Sequence, residues 1–197
     1  MKKQARGIGF NCGKYPSHSN RKLLKEYALW RGMLHRCSES LWIKYPTYIG
    51  TTCSENFKSY TFFYEWCQGQ IGFNSVDKNG NKWCLDKDIL VKGNKVYSED
   101  TCCFVPNRIN TLFIKRNSVR GNLPIGVHLD KSNGSFRAQC SFGKATHLGC
   151  FNTPEGAFKA YKTFKEQLIK DVANEYKDVL DNRVYQVLMD YAVEITD

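Results

Sequence analysis

The chain has 197 residues, 42% apolar and 14% aromatic, with 29 Lys or Arg against 19 Asp or Glu and a formal charge of +10. That length allows one large domain or two small ones with cores of their own, and the composition excludes a disordered chain. The apolar runs are a few residues long against the roughly 20 of a membrane span, and residues 1–25 hold Lys2, Lys3, Arg6 and Lys14 but no apolar stretch of a secretory signal.

Residues 1–20, rich in Gly, Lys, Ser and Asn, read as a basic arm. Over 21–37, Leu23, Leu24, Tyr27, Trp30, Leu34 and Cys37 recur at spacings of three and four, which predicts an amphipathic helix. Its other face carries Arg21, Lys22, Lys25, Arg31, His35 and Arg36. Pro46 and Gly50 break the pattern, and Ser54 caps a second helix whose inner face is Phe57, Tyr60, Phe63, Tyr64 and Cys67, ending at Gly69 and Gly72. Residues 77–81 predict a turn and 82–89 a strand. A loop at Gly93-Asn94 precedes a short helix opening at Ser98 and running through Cys102, Val105, Ile109 and Leu112, with Pro106 at its edge. After a polar linker at 117–122, three strands are predicted at 125–129, 135–142 and 146–151, with Gly134 and Gly143 in the turns. Thr153-Pro-Glu opens a long helix with Ala157, Phe158, Tyr161, Phe164, Leu168 and Ile169 inward, and a last helix spans about 181–194.

The nine cysteines are odd in number and include no C-x-x-C pair, so they read as reduced, small core residues of a cytosolic protein. The alternative is a metal site, to which only the adjacent Cys102-Cys103 comes near in spacing. The charge is uneven. Residues 1–36 hold nine basic groups and one acid, 37–115 nine and eight, 116–165 eight and two, and 166–197 three and eight. Two basic blocks flanking a near-neutral middle point to a polyanionic partner, most naturally nucleic acid.

Alternation along 135–142 turns Phe136, Ala138, Cys140 and Phe142 toward a helix and Arg137, Gln139 and Ser141 to the open face, joined by Lys144 and His147 of the next strand. Such a sheet suits the major groove, where Arg donates twice to guanine and Gln pairs with the adenine edge. Arg120-Gly121 with Ile125-Gly-Val127, Ser135-Phe-Arg-Ala138, Leu148-Gly-Cys-Phe151, Thr153, Ala157 and Ala160-Tyr161 together resemble the AP2-type DNA-binding domain. The resemblance implies DNA binding through a three-stranded sheet. Ile125, His128, Ser141, Ala145 and His147 stand where plant members carry arginines and tryptophans, so their base preference does not carry over.

Leu85-Asp-Lys-Asp-Ile89, Gly93-Asn-Lys95 and the stretch 98–110 resemble the ββα-metal core of HNH endonucleases. The helices before it, with Trp30-Arg-Gly-Met-Leu-His-Arg-Cys37 and Phe62-Phe-Tyr-Glu-Trp66, resemble the front end of phage-encoded HNH/AP2 proteins. The resemblance implies a divalent cation, Mg²⁺ or Mn²⁺, held by oxygen ligands from Asp86, Asp88 and Asn94. None of the four histidines, His18, His35, His128 and His147, lies between 36 and 127. On the simplest alignment to that family Asp86 falls at a metal-ligand position and Lys87 where the resemblance implies the general base; in an active nuclease His35 or a distant residue would act as base. The residues by themselves also read as a strand whose Asp86, Lys87 and Asp88 pair locally, with Asn94 making a turn.

The expectation is an α+β protein: a basic arm (1–20), a helical and HNH-like ββα part (21–116), and an AP2-like sheet packed on a long helix, with C-terminal helices (117–197). Its expected function is duplex DNA binding of phage type with a degenerate nuclease core, in the cytoplasm of an infected bacterial host. His128, Arg137, Gln139, Ser141, Lys144 and His147 would read or grip DNA, while Arg120, Lys131, Arg21, Lys25, Arg31 and Arg36 would neutralise phosphates. The alternatives are an active Mg²⁺-dependent endonuclease and a phage inhibitor that binds a host defence or nucleic-acid-processing protein.

Overall fold

A computed structural model describes residues 3–114 and 121–197. It is an α+β protein that divides into two compact units, Met1–Val105 and Pro106–Asp197, so the boundary falls before the expected one at 116/117. Among the described residues, no helix is long and apolar enough to cross a membrane.

The first unit opens with two hairpins where a basic arm was expected. Strand β1 (Lys3–Ala5) pairs with β2 (Gly9–Asn11), and β3 (His18–Ser19) with β4 (Lys22–Leu23). Asn20 and Arg21 form the second turn with φ of 48° and 63°, the left-handed pair that a two-residue hairpin demands. This turn takes the first residues of the expected helix, so α1 spans Lys25–Arg36 and Leu23 lies exposed in β4. Trp30, Met33 and Leu34 face inward as the spacing requires.

An additional helix, α2 (Glu39–Lys44), buries no side chain; a 3₁₀ turn at Pro46–Tyr48 and strand β5 (Thr52–Cys53) follow. The expected single helix over 54–68 is two, α3 (Glu55–Lys58) and α4 (Tyr60–Gln68), because Ser59 takes an extended backbone and caps the second as Ser54 caps the first. Their Phe57, Tyr60 and Phe63 close on α1. The Trp30 indole N–H donates to the Phe57 carbonyl at 2.8 Å, and Phe57 meets Phe63 and Trp66 edge to face at 5.1 and 4.9 Å. Buried aromatics of this size dominate a small core.

Strand β6 (Cys84–Asp86), β7 (Val96–Tyr97) and β8 (Cys103–Val105) follow; β6 pairs antiparallel with β8, and β7 parallel with β5. The expected helix from Ser98 does not form. Residues 99–101 are a turn and Cys103–Val105 pair as a strand, since apolar Phe104 and Val105 are fully buried, Phe104 with its ring 5.3 Å from that of Phe73. Pro106 instead caps α5 (Asn107–Asn110), which begins the second unit and runs into a 3₁₀ turn at Thr111–Phe113.

The second unit is a meander, β9 (Val127–Leu129), β10 (Phe136–Phe142) and β11 (Lys144–Phe151), with β10 in the centre. The long helix α6 (Pro154–Glu175) starts at Thr153, whose hydroxyl accepts the Gly156 N–H at 3.1 Å. It covers one face of the sheet through a core of Val127, Ala138, Cys140, Ala157, Phe158 and Tyr161. The closest approach is at Gly126 (φ 77°), where a Cβ would sit 2.0 Å from the Tyr161 ring. The last helix, α7 (Asn182–Met189), is shorter than expected; beyond it Val193 is buried and Ala192 exposed, the reverse of the helical pattern.

Candidate nucleic-acid interface

Alternation on β10 buries Ala138 and Cys140 and leaves Arg137 and Ser141 exposed, with Gln139 half-buried between them. Residues directly opposite in an antiparallel pair share a face. Arg137 lies opposite His128 on β9 and Cys150 on β11, Gln139 opposite His147, and Ser141 opposite Ala145. The face away from α6 is thus built from three cross-strand rows that hold every residue expected to read bases except Lys144. That lysine lies opposite Phe142, so its strand position belongs to the other face and its exposed side chain stands at the sheet's rim.

The register shifts between Ala138 and Gln139, leaving Leu148 as the extra residue of a bulge on β11. Plain alternation from His147 would turn Gly149 outward. The bulge turns Cys150 outward instead, and lets Leu148 pack on the core beside Phe151. Cys150 Sγ and His147 Nε2 lie 3.9 Å apart. Sequence reasoning missed Cys150, although Gly149, inside the strand with φ of 122°, is the kind of residue that marks a bulge.

It also missed Asp130. Its carboxylate sits 3.9 Å from Arg137 Nε, accepts the Ser132 hydroxyl at 2.6 Å, and is held below its ordinary pKa chiefly by that hydroxyl. The ion pair is long and partly exposed, so it steers Arg137 only weakly. The signal was available: Asp130-Lys-Ser132 is an Asx-turn sequence next to the strand. Lys131 is exposed in that same turn, and Arg120 lies outside the described residues.

The cations of the first unit divide differently. Arg21 is exposed at its hairpin turn, outside any helix. Lys25 donates to the Phe73 carbonyl with its ammonium 4.1 Å from that ring's centroid, and burial, then Lys82, lowers its pKa. Arg36 is half-buried near Tyr97 and Tyr48. The Arg31 guanidinium lies 5.9 Å from the Tyr27 ring centroid. Lys25 and Arg36, expected on phosphates, are therefore used inside the fold.

The nuclease-like residues are likewise spent locally. Asp86 Oδ1, at the end of β6, accepts the N–H groups of Asp88 and Ile89, each at 2.8 Å. Burial, then the charge of Asp88, raises its pKa to about 6. Lys87 Nζ donates to Asp88 Oδ2 and the Asn94 carbonyl, each at 3.0 Å. The Asn94 amide donates to the Lys87 and Val96 carbonyls, and its oxygen accepts the Val96 N–H. Among the described residues, no group of three or more His, Cys, Asp or Glu is placed to hold a metal ion, and His35, half-buried in the last turn of α1, joins none. An ammonium that donates to a carboxylate and a carbonyl offers no lone pair to a water, and the Asn94 amide already makes three bonds to its own loop, so of the expected set the Asp86 and Asp88 carboxylates are what would hold a cation.

Comparison with protein families, curated proteins and solved structures returns no match for this chain.

Proposed function

We propose that the protein binds duplex DNA through the open face of the β9–β10–β11 sheet. One observation carries the reading. The face opposite α6 presents His128, Arg137, Gln139, Ser141 and His147 in register, with the Asp130 carboxylate at its end. A sheet closed on one side by a helix and lined on the other by donors fits the width of the major groove. Arg137 and Gln139 are the base-reading pair, and Lys131 and Lys144, at the two ends of β10, reach phosphates on either side. The ββα-like segment contributes no chemistry to this reading, because Asp86, Lys87 and Asn94 tie their own loop.

The test is fluorescence anisotropy with a pool of random duplexes, followed by selection of preferred sequences. Arg137→Ala with Gln139→Ala should weaken binding to the selected duplex about tenfold or more, as the loss of one to two bidentate base contacts implies. Binding to unselected DNA should fall much less. Unchanged affinity of the double variant for both duplexes excludes the sheet as the reader.

A further inference from the structure

His147 and Cys150 stand three positions apart on β11, a spacing that puts two residues of a regular strand on opposite faces. The bulge at Leu148 inserts one residue between them. Both side chains therefore emerge on the open face, His147 opposite Gln139 and Cys150 opposite Arg137, and both are exposed. Cys150 Sγ faces His147 Nε2 at 3.9 Å, so the atoms turned toward each other are the two that bind soft metal ions. Cys12, the other exposed thiol, meets the Thr61 hydroxyl at 3.0 Å instead. An ion with bonds of about 2.3 Å to sulfur and about 2.0 Å to nitrogen holds such a pair about 3.5 Å apart at a tetrahedral angle and about 4.3 Å apart in a line. The separation on β11 lies between the two, where an ion of low coordination number sits.

We propose that Cys150 and His147 are the two protein ligands of a cuprous ion on the open face of the sheet. Ligand number, ligand type and charge select this ion. Among the described residues, no third His, Cys, Asp or Glu is placed to join the pair. Zinc takes four ligands, whereas a monovalent ion with a filled d shell is held by fewer. Imidazole suits copper, and thiolate selects its lower oxidation state. Arg137, opposite Cys150, and Lys144, exposed at the start of β11, make the face positive, which opposes a divalent ion more than a monovalent one. On binding, the Cys150 thiol gives its proton to solvent as the S–Cu bond forms, and His147 donates the Nε2 lone pair from the tautomer protonated at Nδ1. Copper stays cuprous throughout. Thiolate and ion cancel, so the loaded site adds no charge to the face.

The experiment uses the reduced full chain under nitrogen, cuprous ion added as its acetonitrile complex, and bicinchoninate as the coloured competitor. The unsubstituted chain should withdraw one cuprous ion more from the competitor than Cys150→Ser does, and Cys12→Ser should withdraw as many as the unsubstituted chain. His147→Ala keeps the thiol and should weaken that uptake about tenfold or more, since losing a ligand costs at least what losing its outer-shell partner does. The cuprous ion is diamagnetic, so proton NMR of the four imidazoles shows which ring it binds. The His147 signals should shift on loading while those of His18, His35 and His128 stay. The same three signals, unmoved in each variant, show that the fold is kept. Uptake unchanged in Cys150→Ser or His147→Ala, copper bound without a shift at His147, or zinc competing with the cuprous ion on equal terms overturns the proposal.

Discussion

Asp86 ends a strand, and its Oδ1 holds the two N–H groups that start the next loop. Burial raises its pKa to about 6 from 3.8, so the folded state binds its proton more tightly than the unfolded chain does. The stability this contributes is full below about pH 4 and is lost as the pH rises through 6. Asn in its place keeps the oxygen acceptor and removes the ionisation. Asp86→Asn should therefore stabilise the protein by about 2 kcal/mol at pH 7 and leave it unchanged near pH 4, as read by thermal unfolding at the two pH values. Equal destabilisation at both would show that the carboxylate itself is needed. The sequence put Asp86, Lys87 and Asn94 together but could not say what they do. A metal ligand and a loop-tying carboxylate have the same letters, and only the partners within hydrogen-bond reach distinguish them. The same limit applied to Lys25, whose place on a helix was legible while the Phe73 carbonyl that engages it was not.

The helix and strands of the second unit were legible as elements because their signals are local. Thr153-Pro154-Glu155 is a helix start in three letters, and the alternation of Phe136, Ala138 and Cys140 is a half-buried strand. What joins these elements is a close approach, and it is testable. Gly126 has φ of 77° and stands against Tyr161; Gly134 has φ of 74° and nothing within 4 Å of the Cβ position. Gly134→Ala should cost about 1 kcal/mol, from left-handed backbone strain alone. Gly126→Ala adds a ring clash to the same strain and should cost about 3 kcal/mol. Denaturant midpoints at an unchanged slope measure both. Similar losses for the two would mean that α6 does not seat on the sheet as closely as Gly126 and Tyr161 indicate. Elements set by partners fared worse: the expected helix at 98–112 became a turn, a strand and a short helix because Phe104 is buried against the distant Trp66 and Phe73, and Val105 is buried beside it in the strand.

At the scale of the molecule, a charge of +10 gives a DNA-binding reading its electrostatic part. Each phosphate neutralised releases counterions, so affinity should fall linearly on a log–log plot against salt. Lys131→Ala and Lys144→Ala should each lower that slope by about one and weaken all duplexes alike, whereas Arg137→Ala should flatten the preference among them. Titrations at several salt concentrations separate the two effects. A slope near zero for the unsubstituted chain would remove DNA as the partner and leave the basic blocks as a solvated surface.

Composition and short-range pattern were enough to establish a mixed α+β chain with its basic groups in two blocks, a capped long helix, and an alternating strand whose outward residues are Arg137, Gln139 and Ser141. Those properties depend on residues within a few positions of one another. Long-range contacts decided which cations are engaged inside the fold, that Asp86 and Asn94 bond their own loop, and that a bulge at Leu148 turns Cys150 onto the open face. Register and hydrogen-bond partners arise from residues far apart in the chain, and the energy that selects among them exists only once the core has closed.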